Sequence, residues 1–140
     1  MEKEVTEKTR MMIEGDAYAG SLGAELIGIR QGWAKVRMGL APGHLNFMGM
    51  IHGGVIFSLA DVAFGAAANS YGTRAMALSV GIDFLAAAPV GGELSAEVEQ
   101  VKRAGKMGFY RMVVKDAEDN EIARCHGWAY HTGKPLEEDA

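Results

Sequence analysis

Asp61 is the only Asp, Glu, Lys or Arg between Gly39 and Thr73, and it interrupts an otherwise apolar or small run from Val55 to Ala68. An ionised carboxylate in such a run is costly unless it is paired, hydrogen-bonded or opened onto a cleft. Just before the run stand His52, Gly53 and Gly54. Glycines at a helix start leave backbone N–H groups without intrahelical partners and let a ligand approach closely. The positive end of the helix dipole favours negative charge at the same point. Together these residues predict an oxyanion site at Gly53-Gly54, with a carboxylate about two turns further along one helix.

The elements that must position this chemistry can be read outward from it. The run from Val55 to Asn69 is hydrophobic all round, which predicts a helix buried on every side. Residues 1 to about 18 read as a short helical lead-in, with Met11, Met12 and Ile13 as docking residues. Strand signals occupy Gly23 to Leu40, where Ala34, Val36, Met38 and Leu40 alternate with Lys35, Arg37 and Gly39. Past the helix, Met76, Leu78, Val80, Ile82 and Phe84 alternate with Ala77, Ser79, Gly81 and Asp83. Three further strands are expected over Glu93–Arg103, Met107–Asp116 and Glu121–His131, with turn residues in each break. Breaks this short join antiparallel neighbours. Residues 132–140 read as a flexible tail. One long central helix wrapped by a single curved antiparallel β-sheet satisfies this order, an α+β domain spanning residues 1–140.

Composition removes several classes of function. At 140 residues the chain suffices for one domain and one core, and a net charge of −4 lacks the basic face of a nucleic-acid binder. The single cysteine, Cys125, leaves no internal disulfide and suits a reducing, cytoplasmic setting. Its strand-like context predicts an inert buried thiol. The uncharged stretch Met38 to Ala60 holds Pro42, Asn46, two histidines and five glycines, so it is no membrane span, and the charged N-terminus is no signal peptide.

The stretch His44-Leu-Asn46-Phe-Met-Gly49-Met-Ile-His52-Gly53-Gly54, followed by Leu59-Ala60-Asp61, resembles the hotdog-fold acyl-CoA thioesterases, and within them the phenylacetate-degradation (PaaI-type) branch. The strand Leu78-Ser79-Val80-Gly81-Ile82-Asp83-Phe84-Leu85, leading to Pro89, is similar to the family's strand after the helix. The resemblance implies the hotdog fold, a homo-oligomer built from dimers and commonly tetrameric, and active sites shared between two chains. It implies that the Gly53 N–H polarises the thioester carbonyl and that Asn46 orients the thioester or water. It further implies that Asp61, from the partner chain, is general base or nucleophile, and that Ser79 holds the attacking water.

That chemistry suits the residue types. A thioester has an electrophilic carbonyl and a good thiolate leaving group, so a carboxylate beside water and donors aimed at the oxyanion are enough. No metal and no cofactor is expected; coenzyme A is part of the substrate. Gly54 is expected to contact substrate, and Phe47, Met48, Met50 and Phe57 to line the acyl pocket, suiting an aromatic or medium-chain group. Lys102, Arg103 and Lys106 are candidates for the coenzyme A phosphates. The pathway is either aromatic degradation or general coenzyme A recycling.

Each residue also has a purely structural reading. Asp61 is then a buried carboxylate bonded to backbone or Ser58, Asn46 a turn residue, and His52 a helix cap instead of a catalytic acid–base. Ser79 is then a small residue on the helix-facing side, and the glycines merely allow close packing. Two other functions compete: a hotdog acyl-thioester dehydratase or hydratase using His52 and Asp61, and a non-catalytic acyl-CoA-binding module. The first lacks a His-Phe-Pro-Gly-like loop, and the second has no need of Asp61.

Overall fold

The computed structural model describes residues 4–137. The lead-in is two helices, α1 (Glu7–Glu14) and α2 (Ala17–Leu22). Gly15 ends the first, and Asp16 starts the second by accepting the Ala19 N–H at 3.1 Å. A side-chain acceptor at that place satisfies an amide that the helix start leaves open, so the chain turns and resumes.

Strands β1 (Glu25–Arg30) and β2 (Trp33–Gly39) form a hairpin. Its turn requires Gly32, whose φ is 82° and whose N–H donates to Ser70 Oγ at 2.7 Å; a Cβ there would lie 2.5 Å from the Tyr71 hydroxyl. Helix α3 (Gly53–Asn69) follows, then β3 (Thr73–Phe84), β4 (Glu93–Ala104), β5 (Met107–Asp116) and β6 (Glu121–Pro135). All six strands join one antiparallel sheet in the order β1-β2-β4-β5-β6-β3.

Helix α3 lies across this sheet, chiefly against β2, β4 and β3. Ile56, Leu59, Ala60, Ala63, Phe64 and Ala67 are buried against Val36, Met38, Leu94, Val98, Met112 and Val114. Burying one of the larger of these side chains contributes about 1.5–3 kcal/mol. The fit around Phe64 is close: its ring is 5.3 Å from that of Tyr110, and a Cβ on Gly127 would lie 2.8 Å from it.

The helix is not buried on every side, however. Gly54, Asp61 and Gly65 are exposed and Ser58 is half-buried. Their spacing of four, three and four places them in one stripe. A single sheet covers one side of a helix, and a chain of this length supplies no second sheet for the other.

Strand β3 is an edge strand, and a bulge between Ala77 and Ser79 breaks its alternation. Below the bulge Val80 and Ile82 pack toward the core, while Met76 and Leu78 are 58% and 59% exposed. Ser79 pairs with Trp128, whose neighbours Gly127 and Ala129 face the core, so Ser79 lies on the sheet face away from the helix.

Strand β6 continues past His131, into the stretch that reads as a flexible tail in the sequence, as far as Pro135. The Thr132 hydroxyl donates to the Arg74 carbonyl at 2.9 Å, and the Leu136 N–H donates to that of Gly72 at 2.8 Å. Residues 138–140 of that expected tail, like 1–3 of the lead-in, lie outside the described residues. Among the described residues no helix is long and apolar enough to cross a membrane.

Candidate active site

The start of α3 is capped by His52, whose Nδ1 accepts the Gly54 N–H at 2.9 Å. The His52 carbonyl accepts the Val55 N–H at 3.0 Å. Among the described residues the Gly53 N–H has no acceptor, which makes it the one open donor of this first turn. Phe84 of β3 lies against it: a Cβ on Gly53 would be 3.2 Å from the ring. The glycine therefore permits a close approach as well as presenting its amide.

The preceding loop is held by Asn46. Its Oδ1 accepts the Met48 and Met50 N–H groups at 2.9 and 3.1 Å, and its own N–H donates to the Met50 carbonyl at 2.7 Å. Gly49, at φ 77°, closes this tight turn. The turn reading thus describes the oxygen of Asn46, while its Nδ2 has no acceptor among the described residues and is left to donate elsewhere.

Asp61 is not a satisfied structural carboxylate. It is exposed on the open stripe of α3, and among the described residues it makes no hydrogen bond or ion pair. Ser58, its expected partner, instead meets the Tyr18 hydroxyl at 2.8 Å. The protein packed around the Asp61 carboxyl, and then the negative charge of Asp16, hold its pKa above the ordinary carboxylate value. A basic carboxylate with no partner is suited to take a proton.

One chain does not bring these groups together. Asp61 follows Gly53 by two helical turns, a separation of about 12 Å along the axis. An attacking group and an oxyanion donor must both lie about 3 Å from one reacting carbonyl. Ser79, on the far face of β3, likewise makes no hydrogen bond to Asp61.

The thioesterase superfamily model matches residues 48–123, which include the helix start, Asp61 and Ser79. The chain belongs to the thioesterase superfamily. This is a family of thioester-cleaving enzymes, and the fold is the hotdog fold. The chain is 34% identical over 141 residues to the acyl-coenzyme A thioesterase PaaI of Escherichia coli strain K12, covering all of both. The solved E. coli PaaI protein, from the phenylacetic acid degradation operon, superposes with a TM-score of 0.86 at 33% identity, over 90% of this chain and 91% of that one. A Streptococcus mutans protein solved bound to acetyl CoA gives 0.76 at 25% identity, over 80% of this chain and 90% of that one.

The other residues expected of such a thioesterase are spread more widely. Phe47, Met48 and Met50 stand at the loop tip, with Phe47 96% exposed, and Phe57 is half-buried on α3. Gly54 has its N–H occupied by the cap. Lys102, Arg103 and Lys106 lie exposed on the β4–β5 hairpin, where the Arg103 guanidinium is 5.8 Å from the ring of Tyr71, just past the far end of α3. That end is about 24 Å from Gly53 along the helix axis. Gly65, whose small size in the sequence suggests room for the sheet to close on the helix, is instead exposed on the open stripe, because the sheet covers the opposite side. Asp16 and Tyr18, which meet α3 near Asp61, have nothing in the sequence that connects them to it.

Proposed function

We propose that this thioesterase hydrolyses acyl-CoA esters in sites shared between two copies of the chain. In each site the Gly53 N–H and Asn46 Nδ2 of one protomer hold the thioester carbonyl oxygen, and the partner's Asp61 acts as base. It takes a proton from water as the water oxygen bonds to the carbonyl carbon. The oxyanion is stabilised by the two donors and then collapses, breaking the C–S bond and releasing the coenzyme A thiolate and the free acid. Ser79 orients the water. No cofactor beyond the coenzyme A of the substrate is needed.

The observation that carries this reading is the pairing of an open amide at the start of α3 with an unpartnered carboxylate two turns away. Neither group has a structural use, and they are too far apart to serve one carbonyl within one chain. The exposed edge of β3, with Met76 and Leu78 on it, supports a partner that pairs there, since a free apolar edge is a liability. The E. coli relative supports the acyl-CoA substrate. An aromatic or medium-chain acyl group, a tetramer of two such dimers, and a cytoplasmic role in aromatic degradation complete the proposal. Cys125 is an inert thiol and takes no part: it is buried, and burial pushes its pKa up to about 11. The Nδ1 of His52 is held by its cap, which speaks against the dehydratase role for that histidine.

The test is thiol release from phenylacetyl-, benzoyl- and straight-chain acyl-CoA esters, with molecular mass measured on the same sample. Hydrolysis by a dimer or tetramer is expected. Binding of the esters with no thiol released would turn the reading to a binding module.

A further inference from the structure

Beside Asp61, a half-open chamber of about 310 Å³ runs between the lead-in helices and α3. Its walls include Ile13 of α1, Ala19 of α2, Leu26 and Val36 of the first hairpin, and Val62 and Ala66 of α3. These are apolar. The volume is about twice the ~150 Å³ that accommodates benzene in an engineered cavity, and it lies at the small end of ligand pockets. A ring with a short linker, or a medium-length chain, matches it.

Three observations connect this chamber to the carboxylate. Val62 and Gly65, which line it, are the next residue and the next turn after Asp61. The Tyr18–Ser58 hydrogen bond pins α2 across α3 one turn before Asp61. Asp16, also in the lining, is close enough for its charge to be felt at Asp61. Asp61 is not itself in the lining, but the chamber lies next to the carboxylate that the reacting carbonyl must approach.

Gly65 is the residue that keeps it open. Glycine within a helix costs about 1 kcal/mol relative to alanine. Close packing does not demand it here, because a Cβ at Gly65 would meet nothing within 4 Å. What a side chain there would do is fill the chamber.

The polar part of the lining is one-sided. Asn69 has its Nδ2 donated to the Gly65 and Ala75 carbonyls and its Oδ1 engaged by the Ala75 N–H. Glu14 and Asp16 supply negative charge, and no Lys, Arg or His lines the space. An uncharged acyl group is accepted on these terms, whereas one ending in a carboxylate meets like charge.

We propose that this chamber is the acyl subsite of the thioesterase, that Gly65 sets the size of acyl group it admits, and that Asp16 and Glu14 exclude acyl groups bearing a second carboxylate. This rests on the acyl-CoA reading above and differs from a pocket lined by Phe47, Met48, Met50 and Phe57.

The experiment compares kcat/KM for acetyl-, octanoyl-, phenylacetyl- and glutaryl-CoA in wild type, Gly65→Ala, Gly65→Leu and Asp16→Asn. Oligomeric state and thermal melts are measured alongside. In Gly65→Leu the ratio of phenylacetyl or octanoyl to acetyl turnover should fall by about 30-fold or more, the scale of misplacing a methylene or two in a hydrophobic pocket. Gly65→Ala, which favours the helix, should move the same ratio in the same direction and carries the test if the leucine variant does not assemble. Wild type should disfavour glutaryl-CoA on the order of tenfold relative to its uncharged counterparts, and Asp16→Asn, which preserves the α2 cap, should narrow that gap. An equal loss on every ester, or an unchanged ratio in both Gly65 variants, overturns the chamber and leaves the thioesterase reading standing. No hydrolysis of any ester by wild type overturns both.

Discussion

The Nδ1 of His52 accepts the N–H of Gly54 at 2.9 Å, so the cap of α3 engages one glycine amide and leaves its neighbour, Gly53, open. On the proposed mechanism His52 therefore shapes the oxyanion site and does not touch the reacting atoms. His52→Ala should lower stability by about 1 kcal/mol, the usual worth of an N-cap. His52→Asn keeps a capping oxygen and should restore most of the melting temperature and activity. Loss of turnover in His52→Asn by more than about a hundredfold would instead identify an acid–base catalyst.

Asp61→Asn should reduce thiol release by about a hundredfold or more, the scale of removing a general base. It should also raise the melting temperature at neutral pH. Burial, then Asp16, hold the folded-state pKa of Asp61 above its ordinary value. The native chain therefore keeps that proton more tightly than the unfolded chain. This contribution to stability is full below the ordinary carboxylate range and lost as pH rises through the raised value. Asparagine removes the cost of the ionised form. Solvent reaches Asp61, so the gain should be a few degrees at most. A lower melting temperature in the variant would show that Asp61 has a structural partner.

His131 presents the opposite case. It is buried, its Nε2 lies 3.0 Å from the Tyr110 hydroxyl, and its Nδ1 has no partner among the described residues. Tyr110 donates its single hydroxyl proton to Gln100 Oε1, so Nε2 must be the protonated nitrogen of a neutral ring. A second proton would fall on Nδ1 with nothing to receive it. Burial first, and then Arg103, hold the pKa below its ordinary value. The unfolded chain thus binds the extra proton first as pH falls. Stability present above pH about 6.5 should be lost through the folded-state value, with a slope of at most about 1.4 kcal/mol per pH unit. Chemical denaturation between pH 5 and 8 should show this slope in wild type and a flatter profile in His131→Gln.

The β3 edge predicts a separable assembly. Replacing Met76 and Leu78 together by lysine, the usual guard of an exposed edge, should yield a folded monomer without thioesterase activity. Circular dichroism and light scattering on one sample decide it. An active monomer would show that one chain holds a complete site.

Much of this fold is legible in the sequence because its signals are local. The apolar run bounded by Gly53 and Asn69 marks α3, and the turn residues around Gly105 and Asp119 mark the hairpins. Asp61 stands out through the cost of its charge. The bulge at Leu78 is not legible, since the alternation from Met76 to Phe84 reads the same with or without an extra residue. The exposure of α3 along Gly54, Ser58, Asp61 and Gly65 is hidden too, because an all-apolar helix does not say that only one sheet will cover it. The chamber is the least legible feature. It depends on Asp16 and Tyr18 meeting α3 across some forty residues of chain, as the Tyr18–Ser58 bond shows.

If the site is shared between two chains as proposed, the two-turn gap between Gly53 and Asp61 makes its two halves separable by genetics. Asn46→Asp keeps the loop's acceptor oxygen and removes the donor; Asp61→Asn removes the base. Each variant alone should be inactive. In a two-fold dimer mixing one chain of each kind, both lesions fall in the same site and the other site is intact. Co-expression should therefore revive activity in roughly a quarter of the sites, one for each two hybrid halves formed by random pairing. Two inactive chains would complement each other.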